Sequence, residues 1–288
     1  MSARPPLTAT GVLLALGLAA CSSGPATAPR ANTAIDPATG VPEVRAGVLA
    51  GYLGADQVPD SLALLPPPPA PGSAAFAHDQ AAAAAAWSLH DSARGQQAIV
   101  DADLDFPQAA TLYTCALGAE INPVDTPHAY VLLRRLRSDA SNATRAAKNH
   151  YQRPRPFVTN QQDLCTPEGR DGLASNGSYP SGHTAIGWAW ALVLAELAPQ
   201  RSDALLARGR QYGESRMVCN VHWNSDLVAG RHMASAVVAR LHAEPAFQRD
   251  LAAARQELAA QHAKALPPPA QCASEAAALA TPWAVPAQ

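Results

Sequence analysis

The chain of 288 residues is poor in lysine, in aromatic residues and in charge. Aromatic residues make up 5% of it and charged residues 15%, whereas 65 residues are alanine. Because alanine is the strongest helix former and contributes little to a β-sheet, this composition predicts a mainly helical protein. The net charge of −2 lacks the basic surplus of a nucleic-acid-binding protein, which argues against a nucleic-acid partner. Lys148 and Lys264 are the only lysines, so each of them merits attention.

The N-terminal 20 residues have the pattern of a secretory signal. Arg4 precedes an apolar run over residues 7–20, which is too short for a membrane span. The run ends in Leu-Ala-Ala-Cys, which resembles a bacterial lipobox. The next residue is Ser22; an aspartate at this place would favour retention in the inner membrane. We therefore expect a periplasmic protein whose mature chain is lipidated at Cys21 and anchored to the outer membrane. The alternative is an ordinary signal peptide with a cysteine at this place by chance.

Four other cysteines remain after Cys21. An exported compartment permits disulfides, and four cysteines allow three pairings, among which the sequence does not choose. No two of them have the Cys-x-x-Cys spacing, which argues against a zinc knuckle. The four are Cys115, Cys165, Cys219 and Cys272.

Changes in composition divide the remaining chain into three parts. Residues 21–72 are rich in proline and alanine and are expected to form a tether. Residues 73–266 carry helical patterns and are expected to form one domain, an all-α bundle. Residues 267–288 open with three prolines and are expected to be a disordered tail. The predicted helices are 73–94, 108–117, 128–148, 184–197, 202–216, 222–242 and 245–264, with a loop over 152–182 and no strand.

Three short blocks of polar residues stand out inside the domain. Each alone suits a structural role, because cations stabilise a helix end, a Ser-Gly pair suits a turn, and residues four apart share a helix face. In order, the blocks are Lys148-x6-Arg155-Pro156, the run Gly-Ser-Tyr-Pro-Ser-Gly-His-Thr over residues 177–184, and Ser215-Arg216-x5-His222-x3-Asp226.

Taken together, the blocks suit a phosphate monoester, which is a compact dianion. Such an anion needs fixed cations and N–H donors, and the blocks supply one lysine and two arginines. The turn at Ser181 and Gly182 enters a helix, so it adds backbone N–H groups and the positive end of the helix dipole. His222, with Asp226 to hold its Nδ1–H, suits a nucleophile, and His183 suits a general acid near the anion.

The order of the three blocks resembles the signature of the type 2 phosphatidic acid phosphatase (PAP2) superfamily, without departure. The string around His183 and the runs Gly-Glu-Ser-Arg and His-Trp-Asn-Ser-Asp resemble bacterial class A non-specific acid phosphatases. The likeness covers roughly residues 76–264. It implies an all-α bundle of the PAP2 and haloperoxidase type, and an acid phosphatase that hydrolyses phosphate monoesters of broad range without a metal or cofactor.

The resemblance also implies a role for each matched residue. Tyr179 lies inside the matched loop and is expected to line the pocket, whereas Arg153 is expected to point elsewhere. His183 must be protonated while His222 is not, so an acidic working pH follows. Class A relatives imply a homo-oligomer. By this resemblance the phosphate is bound by Lys148, Arg155, Ser181, Gly182 and Arg216, the nucleophile that becomes phosphohistidine is His222, the general acid is His183, and the partner of His222 is Asp226.

Three alternatives stay open on the sequence. A vanadate-dependent haloperoxidase shares the fold and the oxyanion cage, and vanadate would confer halide oxidation on it instead of inhibiting phosphate release. A lipid phosphatase is the second alternative, because a tethered domain is able to reach lipid head groups. Integral members of that class, however, need several membrane-spanning helices. A non-catalytic phosphate-binding lipoprotein would not require both histidines and Asp226.

Overall fold

The protein is mainly helical in the computed structural model, which describes residues 1–3, 34–36, 39–264 and 267–281. A small antiparallel hairpin of two strands precedes the helices of the described chain. No helix within these ranges is both long enough and apolar enough to cross a membrane. Cys21 and the expected signal segment from residue 4 onward lie outside the described residues.

The elements follow one another in a simple order. The strands are β1 (Glu43–Arg45) and β2 (Val48–Leu49). Short 3-10 helices occupy Gln108–Tyr113, Pro167–Gly169 and Pro199–Arg201. The α-helices are α1 (Ser61–Leu64), α2 (Ala74–Trp87), α3 (Ala93–Val100), α4 (Thr114–Leu117), α5 (Pro127–Asn142), α6 (Arg145–Tyr151), α7 (Pro156–Asn160), α8 (Arg170–Ala174), α9 (Gly182–Leu197), α10 (Ser202–Val218), α11 (Asn224–Leu241), α12 (Pro245–Ala263) and α13 (Gln271–Leu279).

Helix α9 is the centre of the bundle and packs against α5, α10 and α11. Its Trp190 is fully buried, and the indole N–H donates to the carbonyl oxygen of Leu133 on α5 at 2.9 Å. Small residues let the neighbouring helices approach closely. A Cβ on Gly187 would lie 2.1 Å from the ring of Tyr212 on α10, so only glycine fits there. The high alanine and glycine content therefore serves close helix packing as well as helix propensity.

The folded part extends beyond the expected domain of residues 73–266 at its N-terminal side. The backbone N–H groups of Tyr52 and Leu53 donate to the buried Asp139 carboxylate at 2.9 and 3.1 Å. Leu65 is buried in the same core as the central helices. The part of the expected tether over residues 43–65 is thus packed onto α5 and α6.

The expected tail is also partly folded. Helix α13 packs against α3, and Cys272 forms a disulfide with Cys115. On the same helix, Glu275 pairs with Arg208 of α10 at 2.9 Å. The other disulfide joins Cys165 to Cys219, so the structure selects one of the three pairings.

The helix predictions are confirmed in most segments and differ in four. The expected helix over 108–117 is a 3-10 helix over Gln108–Tyr113, and only its last turn, α4, is an α-helix. The expected helix over 73–94 ends at Trp87, and α3 begins anew at Ala93, because the side chain of Ser92 accepts the N–H of Arg94 and caps a second helix. The expected helix over 128–148 divides into α5 and α6. The expected loop over 152–182 contains α7 and α8, and the hairpin of β1 and β2 was not predicted.

Candidate active site

The second sequence block forms the N-terminal turn of α9. Ser181 is the N-cap: its Oγ accepts the backbone N–H of Thr184 at 3.2 Å and the Thr184 hydroxyl at 2.9 Å. The Ser181 N–H donates to the carbonyl oxygen of Asp226 at 3.0 Å, which ties this turn to the start of α11. Gly182 and His183 follow in the first helical turn, so their backbone N–H groups lie at the positive end of the helix.

Three cations from the other two blocks converge beside this turn. Lys148, in the last turn of α6, donates from Nζ to the carbonyl oxygen of Gly177 at 2.7 Å. Arg155 is buried and donates from Nε to the carbonyl oxygen of Leu173 at 2.7 Å. Arg216, near the end of α10, is 2% exposed, and neither its Nε nor its Nη1 has a hydrogen-bond partner among the described residues.

Asp226 and Asp101 attract these cations, but among the described residues none of the three forms an ion pair with a carboxylate. Burial, helped by Arg155, lowers the pKa of Lys148 to about 7 against the opposing effect of Asp226. Burial also lowers the pKa of Arg155 to about 10, and it lowers that of Arg216. A depressed pKa on a buried cation means that the protein alone compensates its charge poorly. The site is therefore built to receive an anion.

His222 and Asp226 form the expected pair at the start of α11. The imidazole Nδ1 lies 3.2 Å from Oδ2 of Asp226, and Nε2 lies 3.1 Å from Nη1 of Arg155. An arginine only donates, so Nε2 is an acceptor and the ring proton lies on Nδ1, toward the carboxylate. Burial and the three cations hold the pKa of His222 well below its ordinary value. The ring is neutral, with the lone pair of Nε2 facing the cations.

His183 lines a cleft of about 860 Å³, and Arg216 lines the same cleft. Its Nε2 is 3.1 Å from the carbonyl oxygen of Ala102, which only accepts, so this nitrogen bears a proton and Nδ1 is left for chemistry. Burial and Arg216 hold the pKa of His183 well below its ordinary value. Burial and Arg216 thus disfavour the protonated ring, and the role of His183 as a general acid stays a prediction.

Two residues near the loop do not lie as predicted. Tyr179 donates its hydroxyl to the carbonyl oxygen of Pro66 at 2.8 Å and lines a separate apolar groove with Pro66 and Val228. It does not line the cleft of His183. Arg153, expected to point elsewhere, donates from Nη1 to Oδ1 of Asp226 at 2.6 Å and so lies directly behind the site.

Sequence reasoning missed Arg153 and the buried Asp79 that it also contacts. A signal for each existed. Arg153 and Arg155 are two residues apart in a stretch broken by prolines, and in extended backbone residues at that spacing share a side. Asp79 lies three, four and seven residues before Ala82, Ala83 and Ala86, on the buried face of α2.

Comparison with known proteins identifies the family to which the chain is similar. Residues 131–247 match the PAP2 superfamily. A non-specific acid phosphatase of Providencia stuartii is 47% identical over 209 residues, which cover 72% of this chain and 84% of that protein. A non-specific acid phosphatase of Salmonella typhimurium is 43% identical over 195 residues, covering 67% and 78%. An acid phosphatase of Zymomonas mobilis is 44% identical over 200 residues, covering 69% and 75%.

The chain belongs to the PAP2 superfamily, as its three ordered blocks and its helical bundle indicate. Within that superfamily it is an acid phosphatase, a hydrolase of phosphoric monoesters. The predictions of family, fold class and enzyme class are thereby confirmed.

Proposed function

We propose that the protein hydrolyses a broad range of phosphate monoesters in two steps, through a phosphohistidine at Nε2 of His222. The observation that carries the proposal is the position of that nitrogen, 3.1 Å from Nη1 of Arg155 and close enough to Lys148 and Arg216 for both to lower the pKa of His222. Two buried N–H groups of Arg216 have no partner among the described residues, and phosphate oxygens would satisfy them. The N–H groups of the first turn of α9, at Gly182 and His183, supply further donors.

In the first step, the lone pair of Nε2 of His222 forms the N–P bond. The P–O bond to the alcohol breaks, and its electron pair leaves on the alkoxide oxygen. Nδ1 of His183 gives that oxygen its proton. The imidazole of His222 then carries positive charge, which Asp226 stabilises across the 3.2 Å contact to Nδ1.

In the second step, a water molecule attacks phosphorus while Nδ1 of His183 accepts its proton. The N–P bond breaks, its electron pair returns to Nε2, and inorganic phosphate is released. His183 needs its second proton only after the ester has bound. The dianion of the ester raises the pKa of a neighbouring histidine, and this favours the protonated acid in the complex. The proposal requires no metal, because side-chain cations neutralise the phosphate.

Substitution of the nucleophile tests this function. His222→Ala is expected to abolish hydrolysis of an aryl phosphate. His232→Ala is a matched control, because His232 is an exposed histidine ten residues further on, in α11, and it should leave turnover unchanged. Activity of the wild type should also survive a chelator. Near-normal hydrolysis by His222→Ala would contradict the assignment.

We also propose that the mature protein is periplasmic and anchored to the outer membrane by lipid at Cys21, and that it forms a homo-oligomer. The sequence Leu-Ala-Ala-Cys supports the anchor, and the resemblance to class A phosphatases supports the oligomer. Cys21→Ser is expected to release the protein from washed membranes into the soluble periplasmic fraction. Sedimentation of the released protein measures its mass, and a monomer would contradict the second part.

A further inference from the structure

A chain of buried charges continues from Asp226, the partner of His222. The guanidinium of Arg153 lies between two carboxylates: Nη1 donates to Oδ1 of Asp226 at 2.6 Å, and Nη2 donates to Oδ2 of Asp79 at 2.7 Å. Asp79 is 1% exposed, Arg153 7% and Asp226 0%. Such an arrangement is costly to bury unless every group is paired, and here each one is.

Asp79 joins this chain to the first turn of α11. Its Oδ1 accepts the backbone N–H of Ser225 at 2.8 Å, and its Oδ2 accepts the hydroxyl of Ser225. Arg153 also donates from Nη1 to the Ser225 hydroxyl at 2.7 Å. Asp79 lies on α2, far from the three blocks in sequence, and it fixes both the arginine and the residue before Asp226.

The two oxygens of Asp226 have different tasks. Oδ2 faces Nδ1 of His222 and also accepts the backbone N–H of Trp223 at 2.9 Å. In the part of the chain that the structure describes, Arg153 is the only side chain that donates to Oδ1. With this oxygen fixed, the carboxylate cannot rotate away from the imidazole. Arg153 therefore determines the direction in which Asp226 presents its other oxygen.

The charges also balance in a useful way. With a neutral His222, the two carboxylates outnumber Arg153 by one negative charge. When phosphoryl transfer makes the imidazole cationic, the cluster of His222, Asp226, Arg153 and Asp79 becomes neutral. Asp79 thus offsets Arg153, so that the charge of Asp226 stays available to the developing imidazolium.

We propose that Arg153, held by Asp79, is a positioning residue that acts through Asp226 to orient and stabilise His222. This inference rests on the proposed phosphohistidine mechanism. The terminal nitrogens of Arg153 are engaged by Asp226, Asp79 and Ser225, so it does not bind the phosphate. It differs in this from Arg155, whose Nη1 touches Nε2 of His222.

Two conservative variants test the proposal. Arg153→Lys keeps the charge, but its single ammonium lacks the fork that bridges two carboxylates. Asp79→Asn keeps the shape and removes the charge that offsets Arg153. For both, kcat on an aryl phosphate should fall about 10- to 100-fold, as for other indirect partners of a functional side chain. The inhibition constant of inorganic phosphate should stay within about twofold, because the cations that bind phosphate are intact.

A double substitution shows whether Arg153 acts through Asp226. Asp226→Asn alone should lower the single-turnover rate strongly, and adding Arg153→Lys should lower it at most about twofold further. The control is Arg134→Lys. Arg134 is also a buried arginine and pairs with Asp36 at 2.7 Å, in the N-terminal segment and not in the site. This substitution should lower the thermal midpoint and leave kcat unchanged.

Three results would overturn the inference. The first is a kcat of Arg153→Lys equal to that of the wild type. The second is a fall in single-turnover rate that Arg153→Lys adds in full to the fall caused by Asp226→Asn. The third is a loss of phosphate affinity in Arg153→Lys as large as its loss of kcat. Trapping of the phosphoenzyme in the wild type distinguishes a failure of the positioning role from a failure of the phosphohistidine mechanism. If phosphohistidine forms and Arg153→Lys is fully active, only the positioning role fails.

Discussion

Arg216 offers a test in which stability and activity should move in opposite directions. Its buried Nε and Nη1 have no partner among the described residues. An unsatisfied buried donor costs about 1–3 kcal/mol, so the two together cost roughly 2–6 kcal/mol in the free protein. Arg216→Met removes them and keeps an apolar chain of similar length. After packing losses of the kind seen in such swaps, we expect a net gain of about 2 kcal/mol.

The expected gain is measurable by calorimetry. For a domain of this size, about 1 kcal/mol shifts the thermal midpoint by roughly 2–4 °C, so Arg216→Met should unfold roughly 4–8 °C higher than the wild type without phosphate. By the proposed function, the same variant also loses the two charge-assisted hydrogen bonds that Arg216 would donate to the phosphate, each worth about 1.5–3 kcal/mol. Its kcat/KM on an aryl phosphate should therefore fall by about 10²–10⁴.

Arg208→Met is the matched control, eight residues earlier on α10. Arg208 is also 2% exposed, but it is paired with Asp101 and Glu275. Removing it leaves a buried carboxylate unpaired, so it should destabilise the protein by about 3–5 kcal/mol. Saturating phosphate should raise the midpoint of the wild type and not that of Arg216→Met. A destabilised Arg216→Met that phosphate still protects would refute the reasoning.

Three further predictions concern pH, packing and the disulfides. Burial lowers the pKa of Lys148 to about 7, so its ammonium is charged below that pH and neutral above it. The inhibition constant of inorganic phosphate, measured over a pH series, should therefore rise as the pH passes through 7. In Lys148→Met it should rise less steeply. A Cβ on Gly230 would lie 2.6 Å from the carbonyl oxygen of Ser181, so Gly230→Ala should displace the turn of α9, lowering both the thermal midpoint and kcat; unchanged values would contradict the packing. Replacing Cys115 and Cys272 together by serine removes a link across 157 residues and should cost about 2–4 kcal/mol in urea unfolding with little change in kcat, whereas an unaltered stability would show that α13 does not need the link.

The three blocks predict the core of the site because their residues act through local geometry. The spacing of His222 and Asp226 predicts side chains that meet on one helix face. Their side chains do meet, at 3.2 Å, but His222 precedes α11, which begins at Asn224. The Ser-Gly turn likewise predicts the entry into a helix, and in the structure Ser181 is the N-cap of α9. These contacts need little more than the backbone near each motif.

The parts that the sequence does not predict depend on distant contacts. Residues rich in proline and alanine read as a tether, yet the backbone N–H groups of Tyr52 and Leu53 are satisfied by Asp139, which lies on another element. The role of Asp79 depends on Arg153, 74 residues further along the chain. The protonation of His183 depends on burial and on Arg216, neither of which a motif records.

The central claim is that phosphorus passes through Nε2 of His222. An aryl phosphate labelled with radioactive phosphorus should be mixed with excess enzyme, quenched within the first turnover and digested under alkaline conditions that preserve phosphohistidine. Mass spectrometry should then locate an acid-labile phosphoryl group on the peptide that contains His222, in the wild type and in His232→Ala, and none in His222→Ala. A label on His183 or on a serine, or first-order hydrolysis with no covalent label at any time, would contradict the account.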